Sequence, residues 1–78
     1  MEVGLKIKEY LEEQMISQAY LGRHTGIDLV KLNLALNGKR RLTFDEYSAI
    51  CGVLRVNTDF FIKPKLPEKA GKAFESSN

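Results

Sequence analysis

Apolar residues recur every three or four positions from Val3 to Ile62, with charged and polar residues between them. This spacing is typical of amphipathic helices, and no strand is indicated. The pattern therefore predicts an all-α fold, a compact bundle of about five helices. The predicted helices cover residues 2–14, 18–24, 29–37, 44–55 and 59–62.

The inward positions of these helices predict a hydrophobic core. It is made of apolar residues that share one face of each helix: Ile7, Leu11, Leu21, Ile27, Leu32, Ala35, Phe44, Tyr47, Ile50 and either Cys51 or Leu54. One ring of Phe60 and Phe61 is expected to join this core while the other stays partly exposed. These two rings and Ile62 could equally form a dimer interface.

Several side chains are suited to begin a helix. Ser17, Asp28, Thr43 and Thr58 each precede a predicted helix, and a side-chain oxygen there can accept a hydrogen bond from a free amide of the first turn. Glu46 follows Thr43 at the spacing of a capping box. These caps predict the starts of the second to fifth helices.

Glycines indicate where the second and third helices end. Gly26 can adopt the left-handed backbone conformation that terminates a helix, and the Asn37-Gly38 pair is a strong turn signal. Gly22 lies inside the second helix, where glycine costs about 0.5–1 kcal/mol relative to alanine. Its presence predicts a crossing helix that packs too close for a larger side chain.

Charge is distributed unevenly along the chain. Residues 18–41 carry five cations against one acid, a net charge of +4, whereas residues 1–14 and 43–62 each have a net charge of −2. Such a middle segment can present a positive face to a polyanion although the whole chain has a net charge of only +2. Residues 63–78 contain prolines, lysines and serines, and predict a basic, mostly disordered tail after one domain at residues 1–62.

The composition gives no support to catalysis or metal binding. His24 and Cys51 are the single histidine and the single cysteine, too few for a usual zinc site, so no metal is predicted. No serine or cysteine has a plausible base near it and no glycine-rich phosphate loop follows a strand, so no cofactor or enzymatic activity is predicted. Cys51 is interpreted as a small buried apolar residue. A lone cysteine without a disulfide fits the cytoplasm. No apolar run approaches the roughly 20 residues that span a membrane, and no signal peptide is visible.

Several of these features occur together at the mutual spacing of a known family. They are Gln18, Leu21-Gly22, Gly26-Ile27, Leu32, Ala35, Asn37-Gly38-Lys39, Thr43, Leu54-Arg55-Val56 and Asp59-Phe60-Phe61. In these positions, between Ile7 and Ile62, the chain resembles the lambda-repressor-like, Cro-type (XRE) helix-turn-helix domains of phage repressors and bacterial regulators. The resemblance implies that the third helix is a recognition helix.

The resemblance also implies roles for particular residues. Phosphate contacts would come from Gln18, Asn37, Lys39, Arg40 and Arg41. Base edges would be faced by Leu29, Val30, Asn33 and Leu34, with Lys31 as a further candidate. Such domains usually pair on near-palindromic sites, so the expected partners are double-stranded DNA and a second copy of the chain.

The base-facing positions depart from the family pattern. Gln, Ser, Arg or Asn are common there, because hydrogen bonds to base edges discriminate between sequences. Here Val30 and Leu34 are expected to stay exposed, while Leu29 and Leu36 pack at the edge of the core. An exposed apolar strip fits a protein partner as well as a DNA groove.

The sequence therefore predicts a small bacterial or phage-type DNA-binding transcription regulator, which acts as a dimer by occupying its site. The alternative is a non-enzymatic interaction module, antitoxin-like or an anti-regulator, that offers the third helix to a protein. A third hypothesis is non-specific DNA binding through the basic loop alone.

Overall fold

The computed structural model describes residues 3–62, which form four helices and no strand. The helices are α1 (Val3–Gln14), α2 (Gln18–Thr25), α3 (Leu29–Leu36) and α4 (Phe44–Leu54). α3 packs against both α1 and α2, and α2 also packs on α4. The predicted basic tail, residues 63–78, lies outside the described residues. Within residues 3–62, no helix has the length and apolar character needed to cross a membrane.

The predicted all-α bundle is confirmed, but the predicted fifth helix is wrong, because residues 58–61 form a turn and bend. The Phe60 amide donates to the Asn57 carbonyl at 3.0 Å, which closes one turn. Helix nucleation fixes several residues for one hydrogen bond, so a four-residue segment does not form a helix by itself. The Tyr47 hydroxyl donates to the Thr58 carbonyl and ties this turn to α4.

The core lies between the four helices and is closed by Phe61. The buried apolar side chains are Val3, Ile7, Leu11, Leu21, Leu32, Ala35, Leu36, Tyr47, Ile50, Cys51 and Phe61. Most of the predicted core is confirmed, including Cys51. Leu36 is fully buried and does not lie at the core edge as expected. Phe60 is half-exposed and its ring packs edge-on against Tyr10.

The predicted burial of Phe44 is wrong, since its side chain is 72 % exposed. Phe44 is the first residue of α4. Helical side chains lean toward the N-terminus of their helix, so a ring at the first position extends past the end of the helix. Phe44 therefore contributes to the surface beside Leu42 and Ile62 rather than to the core.

Three of the predicted capping residues, Ser17, Asp28 and Thr43, are confirmed, whereas Thr58 begins a turn and caps no helix. Ser17 accepts the Tyr20 amide hydrogen at 3.0 Å, and Thr43 with Glu46 forms the reciprocal capping box at the start of α4. Gly26 ends α2 with a left-handed φ of +78°. A Cβ on Gly22 would lie 3.2 Å from the carbonyl oxygen of Ile27. The close neighbour of Gly22 is thus the backbone of the turn itself, not only a crossing helix.

Gly4 sets the approach of α1 to α3. A Cβ built on Gly4 would lie only 2.0 Å from the carbonyl oxygen of Ala35. The same oxygen accepts the Gly38 amide hydrogen at 3.1 Å, in the turn that ends α3. A side chain at position 4 would therefore disturb both the helix contact and the start of the basic loop.

Replacing Gly4 by alanine is expected to lower the free energy of unfolding by about 1–3 kcal/mol, because the backbones of α1 and α3 must separate. Denaturant unfolding followed by circular dichroism measures this change. Gly52→Ala is the matched control, since a Cβ on Gly52 in α4 meets nothing within 4 Å. That variant should gain about 0.5–1 kcal/mol. Unchanged stability of Gly4→Ala would contradict the close contact.

Candidate nucleic-acid interface

α3 buries one side and leaves the other open. Leu32, Ala35 and Leu36 point into the core. On the other side, Leu29 is 49 % exposed, Val30 68 % and Leu34 38 %, and Asn33 is exposed as well. We call Leu29, Val30, Asn33 and Leu34 the open face. The expected exposure of Val30 and Leu34 is observed, and the role of the open face in binding stays a prediction.

The open face has an apolar strip and a mixed strip. Residues four apart lie above one another on a helix, so Val30 and Leu34 form one strip, with about 6 Å between them along the helix axis. Leu29 and Asn33 form the adjacent strip by the same spacing. A ligand that covers this face meets branched apolar groups on one side and a carboxamide on the other.

Gln18 fixes the carboxamide of the open face. The Asn33 amide nitrogen donates to Gln18 Oε1 at 3.2 Å, across from α3 to the first residue of α2. A side-chain amide has a second hydrogen and a carbonyl oxygen. Asn33 therefore keeps one donor and one acceptor for a ligand while Gln18 holds its orientation.

Asn37 joins the end of α3 to α1. The side-chain amide nitrogen of Asn37 donates to the Asn33 backbone carbonyl at 2.8 Å, and its Oδ1 accepts from Lys8 Nζ at 2.9 Å. Lys8 was not predicted as a site residue. It follows Gly4 by four residues, on the side of α1 that contacts α3, and that spacing is the only sequence signal for its position.

The basic loop after α3 begins with a defined turn. Gly38 has a left-handed φ of +77°, and the Lys39 amide donates to the Leu34 carbonyl at 2.8 Å. This pattern is the Schellman motif, which satisfies carbonyls at the end of a helix. The Lys39 and Arg41 side chains that follow are exposed.

Arg40 is engaged differently from its two neighbours. Two of its guanidinium nitrogens donate to the two carboxylate oxygens of Glu46, at 3.0 and 3.1 Å. Glu46 also accepts the Thr43 amide hydrogen at 2.9 Å. The Arg40 guanidinium and the Thr43 amide hold the pKa of Glu46 below its ordinary value. The pair thus fixes the loop to the start of α4.

The Asp28 carboxylate caps the start of α3. Its Oδ2 accepts the amide hydrogens of Val30 at 3.1 Å and Lys31 at 3.3 Å. A carboxylate at this position is stabilised by the positive end of the helix dipole. The amides offset part of the repulsion that Asp28 would exert on a phosphate, and Lys31 is exposed at the edge of the open face.

The other reactive side chains are accounted for by packing. Within residues 3–62, no group of His, Cys, Asp and Glu residues is arranged to hold a metal ion. His24 stacks on Tyr20, with ring centroids 4.1 Å apart. Burial raises the pKa of the Cys51 thiol and raises the pKa of Tyr47 to about 12. Both groups therefore stay protonated near neutral pH.

Comparison with known protein families identifies the fold around this interface. A family model described as helix-turn-helix matches residues 7–61. This span contains α2, α3, α4 and most of α1, together with every candidate contact residue from Lys8 to Arg41. No curated protein and no solved structure matches the chain.

The Arg40–Glu46 pair is expected to make stability depend on pH in acid. Because the folded-state pKa of Glu46 is lowered, its contribution is complete above the ordinary glutamate pKa of about 4.3 and is lost as the pH falls through the folded value. Glu46→Gln keeps an oxygen for the cap but removes the charge.

Thermal unfolding of Glu46→Gln and wild type, from neutral pH into strong acid, measures this effect. The variant should be less stable at neutral pH and should approach the wild type in acid. A difference that stays constant over the whole range would contradict a role for the Glu46 charge.

Proposed function

Since the chain belongs to the XRE-type helix-turn-helix family of DNA-binding transcription regulators, we propose that it is a small bacterial or phage-type regulator that inserts α3 into the major groove. The observation that carries this proposal is the open face of α3, with the exposed cations of the basic loop directly after it. Such a cytoplasmic domain would act by occupying its site, blocking or recruiting polymerase.

Phosphate contacts would give most of the affinity. Gln18 is the first residue of α2, and the free amides of a helix start favour a phosphate. Lys39 and Arg41 are exposed cations in the loop that follows α3. Asn37 is linked to the ammonium of Lys8, which brings a further cation to this edge. These contacts would fix the register of the domain without reading sequence.

Arg40 would serve this interface by holding the loop. Its hydrogen bonds to Glu46 fix the backbone between its two exposed neighbours. A loop that is ordered before binding loses less entropy when it contacts DNA. Arg40 therefore supports the phosphate contacts of Lys39 and Arg41 even where its own charge is paired with an acid.

A two-fold dimer is the proposed binding form. The exposed ring of Phe44 borders a groove with Leu42 and Ile62, and Phe60 is half-exposed. A two-fold interface uses the same patch on both protomers. These apolar side chains support pairing through the surface between α4 and the turn after it.

The salt dependence of DNA binding is expected to report how many phosphate contacts form and how many protomers bind. The slope of log affinity against log salt is about −0.9 per phosphate contact, so a dimer with six to eight contacts should give about −5 to −7. Arg41→Ala should make the slope shallower by about 1.8 if two protomers bind and by about 0.9 if one binds.

Fluorescence anisotropy with a labelled duplex over a range of salt concentrations measures this slope. Lys6→Ala is the matched control, because the Lys6 ammonium donates to the Phe61 carbonyl at 3.5 Å and is not one of the proposed phosphate contacts. It should leave the slope unchanged. Absence of binding to any duplex at low salt would overturn the proposed function, and a change of about 0.9 for Arg41→Ala would overturn the dimer alone.

One observation favours a second candidate function. Val30 and Leu34 form an exposed apolar strip, which fits a protein partner of the kind bound by an antitoxin or an anti-regulator. In that case the wild type would have no measurable DNA affinity at low salt, and Leu34→Glu would abolish binding to the partner. Selection of binding sites from random duplexes separates the two functions, because only a DNA reader enriches a sequence.

A further inference from the structure

The apolar strip of α3 has chemistry that matches one group in the major groove. The edges of the four bases carry hydrogen-bond donors and acceptors, and thymine alone adds a methyl group. Val30 and Leu34 can bury a methyl group but cannot donate or accept a hydrogen bond. We propose that Val30 and Leu34 read thymine methyl groups, so that the domain selects A·T-rich half-sites. This inference rests on the proposed function.

The spacing of the two side chains suits two separate thymines. Val30 and Leu34 are about 6 Å apart along the helix axis. Successive bases of one strand are about 3.4 Å apart along the DNA axis, so the two side chains span about two base steps. Val30 is the second residue of α3, and the first residues of a recognition helix approach the base edges most closely.

Asn33, the polar residue of the open face, also favours an A·T base pair. A carboxamide can bind adenine at two atoms, donating to N7 and accepting from N6. Asn33 keeps one donor and one acceptor while Gln18 holds it at 3.2 Å. Guanine is bound at two atoms by Arg or Lys instead, and none of the open-face residues is a cation. Apolar and polar groups of the open face therefore both favour A·T pairs.

Removing the thymine methyl from the DNA tests this directly. Short duplexes of alternating dA and dT are compared with the same duplexes in which deoxyuridine replaces every thymidine. The two differ only by the methyl groups. Burying one such carbon is worth about 0.8 kcal/mol, so each methyl that is read should contribute about fourfold in affinity. The wild type is expected to bind the uracil duplex more weakly by at least this factor.

Variants of the protein test whether the preference for the thymine duplex depends on Val30 and Leu34. Val30→Ser and Leu34→Ser should each reduce the ratio of thymine to uracil affinity, and the double variant should bring it to one. Val30→Ile keeps an apolar side chain and should retain the ratio. Met15→Ala is the matched control, since Met15 is 92 % exposed but lies outside α3, and it should also retain the ratio.

Each outcome decides between defined alternatives. Equal affinity of the wild type for both duplexes overturns the methyl readout while DNA binding itself stands. Absence of binding to both duplexes at low salt overturns the proposed function and this inference with it. If the folded double variant still binds the uracil duplex more weakly than the thymine duplex, the methyl groups act through DNA shape. That result overturns the proposed readout by Val30 and Leu34. The comparison of duplexes needs no variant, so it decides even where a variant fails to fold.

Discussion

An eight-residue helix is too short to be stable alone, so α3 depends on what its inner side contacts. Leu32 and Leu36 are fully buried, and the Ala35 carbonyl lies so close to Gly4 that no Cβ fits between them. This inner side uses three residues and leaves the others to the surface. Packing therefore decides which side chains of α3 can meet a ligand, before their chemistry has any effect.

Both ends of α3 are fixed by groups that do not belong to the open face. Asp28 caps its start, and the turn at Gly38 satisfies the carbonyls at its end. Beyond that turn, the bond between Arg40 and Glu46 joins the basic loop to α4. A partly exposed ion pair of this kind contributes only modestly to stability. Its value lies in holding exposed cations in one geometry.

The features that could be predicted from the sequence depend on near neighbours. Caps, the glycine end of α2 and the apolar periodicity each involve residues a few positions apart. The contact of Gly4 with Ala35 and the pairing of Arg40 with Glu46 depend on how separate elements pack, and no local pattern carries that information. The ends of α1 and α4 were predicted to within one residue, because the apolar periodicity stops there. The left-handed φ of Met15 and Arg55, +58° and +60°, carried no signal of its own, since neither residue is a glycine.

The chemistry of the open face bears on the proposed dimer. A bidentate hydrogen-bond pair discriminates by about 1–3 kcal/mol, whereas one buried methyl contributes about 0.8 kcal/mol. Val30 and Leu34 in one protomer would then contribute about 1.6 kcal/mol, the lower half of the range of one bidentate pair. In the proposed two-fold dimer the number of methyl groups would double, to about 3 kcal/mol in total. An apolar reading face would therefore gain much of its selectivity from two copies of α3 on one duplex.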